Sequence, residues 1–257
     1  MIRKINPDYS IRSIDVVFDV LELILASESG HISLPHLCSQ LHISRNKAFR
    51  LMATLEMRGM VERDQLSGTY RLGISAVGLS QKILNKSTII TYAHPVMEEL
   101  AKKHDEAVYM TVLKDDEVMF LDMVDCRQKV KAAPLVGQRF PFFSNAAGKA
   151  IKALECRDTN SNVKRGRRRK APCNLRLLES ELDDIRKKGV AVDRNGLGDG
   201  IISVAVAVKD YAGKVVGAIT MLAPSFRMLA DRLETEIIPS LQEGAEMLSE
   251  RFGYARG

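Results

Sequence analysis

The chain lacks three things: closely paired cysteines, a membrane-length apolar run, and any histidine in its second half. Its four cysteines, Cys38, Cys126, Cys156 and Cys173, share no close spacing. That pattern argues against a disulfide framework and against a Cys-x-x-Cys motif, and it points to free thiols in a reducing compartment. The longest apolar runs, such as Ile201 to Val208, are far too short to cross a bilayer, so no membrane partner is expected. The opening MIRKINPDYS lacks the apolar core of a secretion signal, and cytoplasmic residence is the expectation. All five histidines lie at or before His104, none beside a plausible nucleophile. Gly196, Gly198 and Gly200 precede a strand pattern rather than a helix, which is the wrong context for a phosphate-cradling loop. Catalysis is therefore only a remote alternative, and no cofactor is expected. Cys38 and His42 stand four residues apart on one helix pattern, but no second pair completes a zinc set, and no metal is expected.

Charge is easily misread here. The formal net charge is +6, from 38 basic and 32 acidic residues. The run Lys164-Arg165-Gly166-Arg167-Arg168-Arg169-Lys170 supplies six of those positive charges, so the rest of the chain is formally neutral. The run is flanked by Asp158-Thr159-Asn160-Ser161-Asn162 and by Pro172, with no periodic apolar residues. It reads as an exposed loop, either a solvated insertion or an auxiliary phosphate contact. The more telling patch lies between Arg45 and Arg63, where five basic residues face only Glu56 and Glu62.

That patch sits in the most informative stretch, residues 33–72. Leu34, Leu37 and Leu41 recur at helical spacing, with Ser33 as cap and Pro35 in the first turn, where its missing N–H costs little. His42-Ile43-Ser44 breaks the run. Ala48, Leu51, Met52 and Leu55 then define one buried face, while Asn46, Lys47, Arg50 and Thr54 fall on the other side and Gly59 stops the helix. Val61-Glu62-Arg63 and Thr69-Tyr70-Arg71-Leu72 flank Ser67-Gly68, a hairpin signal. Upstream, Ile14, Val17, Phe18, Leu21 and Leu25 predict a third helix that completes the small core. Helix, turn, helix, hairpin is the order of a winged helix-turn-helix, which sets its second helix in the DNA major groove. Asn46, Lys47 and Arg50 are the expected base readers, since Arg and Lys donate to guanine and Asn pairs with adenine. Arg45, Arg63 and Arg71 are the expected phosphate contacts. The plain alternative is a small helical domain with a solvated basic face.

Beyond this stretch, residues 73–86 read as a linker helix, followed by a helix near Pro95 that runs through Met97, Leu100 and His104. The period then changes to two. Strands are predicted at 107–113 and 118–124, at 190–192, at 201–209 and at 214–222. Helices are predicted at 146–154, at 175–188, and from a cap at Ser225 through Phe252. Helices packed on one antiparallel sheet make this an α+β domain.

These elements together resemble the isocitrate lyase regulator (IclR) family of bacterial transcription regulators. The resemblance covers roughly residues 10–250. It rests on Phe49-Arg50-Leu51-Met52, Gly59-Met60-Val61-Glu62-Arg63 and Tyr70-Arg71-Leu72-Gly73 in the first part. In the second it rests on Ala147-Gly148-Lys149-Ala150, on Ile185 to Asp193, on Ile201 to Val208, on Gly213 to Ile219, and on Ala223-Pro224. It implies a winged helix-turn-helix at 10–72, a linker helix at 73–88 and a GAF-like effector-binding domain at 89–257. It also implies homodimers or dimers of dimers on double-stranded operator DNA, in a repressor or an activator, with a small organic acid as effector. The family pocket falls between Asn145-Ala146-Ala147 and the central strands. Ala146 and Ala147 would offer backbone amides at a helix N-terminus, a natural carboxylate site. Asp193, Ser203 and Thr220 match pocket positions on neighbouring strands, and Phe140 and Leu222 match its apolar wall. Asp193 has a plainer alternative, as a turn cap or a partner of Arg194 or Arg186. Leu222 stands where some members carry serine, Lys47 where a small hydroxyl residue is common, and the run 164–170 is an addition to the family pattern. A regulator without an effector, its second domain serving only assembly, is the alternative function.

Overall fold

The computed structural model describes residues 11–114, 116–155 and 175–255. The basic run 164–170, Cys156 and Cys173 lie outside the described residues. The chain divides into two compact units, Met1–Lys86 and Ser87–Gly257.

The first unit holds α1 (Arg12–Ala26), α2 (Leu34–Leu41), α3 (Arg45–Met57), a hairpin of β1 (Val61–Arg63) and β2 (Tyr70–Leu72), and α4 (Ile74–Asn85). Local chemistry explains the breaks. Ser33 caps α2 by accepting the His36 amide at 3.4 Å, and Ser44 caps α3 by accepting the Lys47 amide at 3.3 Å. His42 ends α2 in the left-handed region, and Gly59 follows α3 at φ 65°. Val20, Ile24, Leu37, Ala48, Met52, Leu55, Val61 and Tyr70 form the core. The expected buried face of α1 is corrected here. Ile14, Phe18 and Leu25 are 50%, 61% and 69% exposed, while Val20 and Ile24 are buried instead. The helix carries two apolar stripes, and periodicity alone does not say which one faces inward.

Among the described residues, the second unit is a six-stranded antiparallel sheet with helices on both faces. It contains α5 (Thr88–His104), β3 (Ala107–Lys114), β4 (Glu117–Val124), β5 (Arg139–Pro141), α6 (Ala146–Leu154), α7 (Leu175–Lys188), β6 (Ala191–Arg194), β7 (Ile201–Lys209), β8 (Val215–Pro224), α8 (Ala230–Arg232) and α9 (Ile238–Arg251). The strand order is β5-β4-β3-β8-β7-β6. Helices α5 and α9 cover one face through Val96, Met97, Leu100, Leu241, Ala245 and Leu248. Helix α6 covers the other, through Ala146, Ala147, Ala150 and Ile151. This is the α+β arrangement that the change of period predicted and the GAF-like layout that the family resemblance implied.

Three local expectations are corrected. Helix α5 begins at Thr88 and carries Pro95 in its interior, not near its start. Strand β5 was not legible. The last helical stretch does not start at a Ser225 cap. The chain turns at Ser225, with the Met228 amide on its carbonyl at 3.2 Å, and helix begins at Ala230, with a π turn over Leu233–Ile237 before α9.

One charged cluster stitches this unit together. Glu106, in the bend between α5 and β3, is fully buried. It accepts two hydrogen bonds from Arg227, both 2.7 Å, and one from Arg232 at 3.0 Å. Arg232 also donates to the His104 carbonyl at 2.8 Å. His104 is itself buried, and among the described residues its Nε2 has no partner. Burial, then Lys103 and Arg232, hold its imidazole below the ordinary 6.5, against the weaker opposite pull of Glu236 and Glu106. Below pH 6.5 the unfolded chain therefore binds a proton that the folded chain refuses. Stability is expected to fall as pH drops from 7 to 5, and less steeply in His104→Gln. Melting curves across that range check this, and equal slopes would contradict it.

Candidate functional site

The first candidate surface is on α3 and the hairpin. Helix α3 exposes Arg45, Asn46 and Arg50, with Lys47 half-buried. A groove of about 780 Å³ runs between the N-termini of α2 and α3 and the hairpin, lined in part by Arg45, Asn46, Phe49, Arg63 and Gly68. Its floor is apolar and its rim is cationic. The Arg63 guanidinium lies 5.8 Å from the Tyr70 ring centroid, within cation–π range. The hairpin turn is held by Asp64, whose Oδ1 accepts the Leu66 and Ser67 amides at 2.8 and 2.9 Å. The structure thus brings Arg45, Asn46 and Arg63 to one groove and leaves Lys47 and Arg50 on the same helix beyond it. Arg71 differs: it is engaged by Glu62 on the neighbouring strand at 3.0 Å. Phe49 is 53% exposed at this groove, and sequence reasoning assigned it no role. A large exposed apolar side chain beside cations was the signal.

The second candidate site lies under α6. Asn145 caps this helix, accepting the Gly148 amide at 2.9 Å. Its Nδ2 donates to the Pro141 carbonyl at 3.2 Å, which holds the β5 turn against the helix. Gly148 is required there, because a Cβ would overlap the Phe142 backbone. The Ala146 amide donates to Ser203 Oγ at 3.3 Å. Strand register then places the other residues. Ala107, Leu222, Ser203 and Asp193 pair in one row across β3, β8, β7 and β6. Tyr109, Thr220, Ala205 and Ala191 pair in the next row. Paired residues share a face, so both rows face α6. Phe140 stands further out, half-buried, with its ring 5.7 Å from that of Phe120. Ala146, Ala147, Ser203, Thr220 and Leu222 are sealed from solvent.

Asp193 does not pair with Arg194 or Arg186. Lys149, buried on α6, reaches it at 2.6 Å and reaches Glu181 on α7 at 2.8 Å. Arg186 is used elsewhere, on the Ala153 carbonyl and on Asp183. Asp193 also closes a turn, its Oδ1 accepting the Gly196 amide at 3.0 Å. Burial works to lower the Lys149 ammonium, but its hydrogen bonds to Asp193 and Glu181 outweigh that and hold it above the usual lysine value. Sequence reasoning missed Lys149. Its signal was a lysine within Ala146-Ala147-Gly148-Lys149-Ala150-Ile151, otherwise a run of small and apolar residues. Tyr109 was also missed, as one more apolar position of a buried strand.

Among the described residues no cluster of three or more metal-ligating side chains is found, and no helix is long and apolar enough to cross a membrane. Residues 13–65 match the family model described as the IclR helix-turn-helix domain, and residues 81–250 match the one described as bacterial transcriptional regulator IclR C-terminal. The HTH-type transcriptional regulator KdgR of Escherichia coli is 25% identical over 254 residues, spanning 97% of this chain and 95% of that protein. The crystal structure of the Thermotoga maritima IclR superposes with a TM-score of 0.72 at 25% identity, over 95% of this chain and all of the other. An IclR homologue from Microbacterium hydrocarbonoxydans, solved with 4-hydroxybenzoate, superposes with a TM-score of 0.73 at 19% identity, over 94% and 99%.

Proposed function

This chain belongs to the IclR family of bacterial DNA-binding transcription regulators, and on that premise we propose that a small organic acid, bound under α6, controls its affinity for an operator. The observation that carries the reading is the N-terminus of α6. It combines a positive dipole end with a buried amide, Ala146, whose present partner is only a neutral hydroxyl at 3.3 Å. A carboxylate oxygen is a stronger acceptor for the same donor. Ala147, Ser203, Thr220 and Asp193 surround the acid, and Phe140 and Leu222 supply the apolar wall. Asp193, tied to Lys149, sets the loop at Gly196 rather than meeting the acid as a free charge. That the Microbacterium homologue was solved with 4-hydroxybenzoate supports an organic acid here.

On the DNA side, Asn46, Lys47 and Arg50 read bases, and Arg45 and Arg63 position phosphates. Arg71 joins them with the N–H groups that its exposed pair with Glu62 leaves unused. Exposed Ile14, Phe18 and Leu25 on α1, with Ile74, Val77 and Ile83 on α4, are apolar faces suited to a second copy. A cytoplasmic homodimer would present two reading helices to a two-fold operator. The segment at 73–88 would carry the effector signal to them. One observation favours the effector-free alternative: the site under α6 is sealed, so binding has to part the 139–145 segment from the sheet.

Arg50→Ala tests the DNA assignment. It is expected to lose roughly 1–3 kcal/mol of discrimination at one base pair. Binding to a series of singly mutated operators checks this, and an unchanged preference at every position would contradict it.

A further inference from the structure

One side chain in the groove beside α3 uses neither charge nor hydrogen bonding. Phe49 is 53% exposed there. It lies outside the core of its unit, to which α3 gives Ala48, Met52 and Leu55. Among the described residues no other ring and no cation stacks on it. A lone exposed apolar residue is ordinary on a protein surface. What sets Phe49 apart is where it stands. It follows Asn46 by three residues and Arg45 by four, so the three share one flank of α3. All three line the groove, and Arg63 lines it from the hairpin. The hairpin turn adds only Ser67 and Gly68, small residues that leave room for a nucleic-acid strand. The ring is thus an apolar spot between cations on α3 and on the hairpin.

That placement decides what Phe49 can touch. Arg45 and Arg63 suit phosphates on either side of the groove, and the ring lies between them. A phenyl ring offers no conventional hydrogen bond, so it cannot read the polar edge of a base. The major groove presents one apolar feature to such a side chain, the C5-methyl of thymine. We propose that Phe49 is a specificity-determining residue that reads thymine through this methyl group, so that each half of the operator carries a required thymine within reach of α3. This rests on the reading that α3 enters the major groove. Asn46 and Arg50 discriminate by hydrogen bonds, and Phe49 adds a contact that donors and acceptors cannot supply. Cytosine in the same place lacks the methyl. A purine presents its N7 acceptor, which the ring would strip of water without replacing it.

The test uses the full chain and a base that differs from thymine by the methyl alone. Duplexes are first selected by the wild type from a pool with a randomised core about two helical turns long. The tightest is then remade with deoxyuridine in place of one thymine at a time, which keeps every hydrogen bond of the base pair. Affinities are measured at one salt concentration for the wild type, Phe49→Ala and Arg63→Ala. In the wild type, deoxyuridine at one thymine of each half-site is expected to weaken binding about threefold to fivefold, the factor for one methyl group returned to water. In Phe49→Ala the same exchange is expected to change affinity by less than about 1.5-fold, because the methyl has lost its partner. Arg63→Ala is expected to weaken binding to both duplexes and to leave the deoxyuridine effect in place. A wild type insensitive to deoxyuridine at every position would overturn the inference and leave α3 standing as a reading helix. So would a sensitive position that stays sensitive in Phe49→Ala, or one that Arg63→Ala abolishes equally. If the wild type enriches no sequence from the pool, the reading helix falls and this contact falls with it.

Discussion

Glu106→Gln is expected to lower the unfolding free energy of the second unit by about 3–5 kcal/mol, and its melting temperature by on the order of 10 °C. The substitution keeps the shape of the side chain and removes its charge. Glu106 is fully buried and accepts from two guanidinium groups, of Arg227 and Arg232. With an amide in its place, Arg227 loses its carboxylate partner in a partly desolvated site, and Arg232 keeps only the longer contact to Glu236 at 3.8 Å. The amide also turns a donor toward donors. Breaking such a cluster from one side is costly, whereas removing it whole is not. The triple change Glu106→Leu, Arg227→Met, Arg232→Leu is therefore expected to be milder than Glu106→Gln alone. Urea unfolding of both variants decides this, and a loss under 1 kcal/mol for Glu106→Gln would mean the cluster behaves as a solvated surface pair.

Lys149→Met is the second large effect, expected at about 3 kcal/mol. It strands Asp193, whose side chain is only 10% exposed, with the Gly196 amide as its remaining partner. Lys152, one turn along the same helix, is the internal control. Its side chain is 34% exposed and its ammonium pairs with Asp116 and Glu155, so Lys152→Met should cost less than about 1 kcal/mol. The pH behaviour follows in sign. A lysine held above its ordinary 10.5 stabilises the fold fully below that value and loses the contribution as pH rises past it. The difference between wild type and Lys149→Met is therefore expected to stay flat across neutral pH. Thermal unfolding of the two methionine variants side by side checks the ranking, and equal losses would contradict it.

How far the sequence could be read is clearest at particular residues. Ser33, Ser44 and Gly59 act through local hydrogen bonds and backbone conformation, so the helix-turn-helix boundaries were legible. The strands 201–209 and 107–113 were legible because they are long and almost wholly apolar. What failed was set by distant partners. Ser225 looks like a helix cap, yet the chain turns there instead, with the Met228 amide on the Ser225 carbonyl, and helix waits until Ala230. Helix α1 offers two apolar stripes, and only packing against Leu37 and Met52 selects Val20 and Ile24. In the candidate sites, α3 was legible because a reading helix lies in one continuous segment. The ion pairs were not: Lys149 and Asp193 lie 44 residues apart in sequence, and nothing local in Asp193-Arg194 announces that a lysine on another helix will outcompete the adjacent arginine. The charge of Arg71 is visible in sequence, whereas its exposed pairing with Glu62 across the hairpin is not.

The most direct test of the account is fluorescence anisotropy of the full chain on the duplex upstream of its own gene, beside a scrambled duplex of equal length. Salt must be fixed, because phosphate contacts alone make affinity salt-dependent. Each titration is run with and without a panel of small aliphatic and aromatic carboxylates. The account predicts tight binding to the upstream duplex, at least a thousandfold weaker binding to the scrambled one, and a shift in the first affinity with one acid of the panel. Equal binding to both duplexes would contradict the assignment of α3 as a reading helix, and specific binding indifferent to every acid would contradict control from the site under α6.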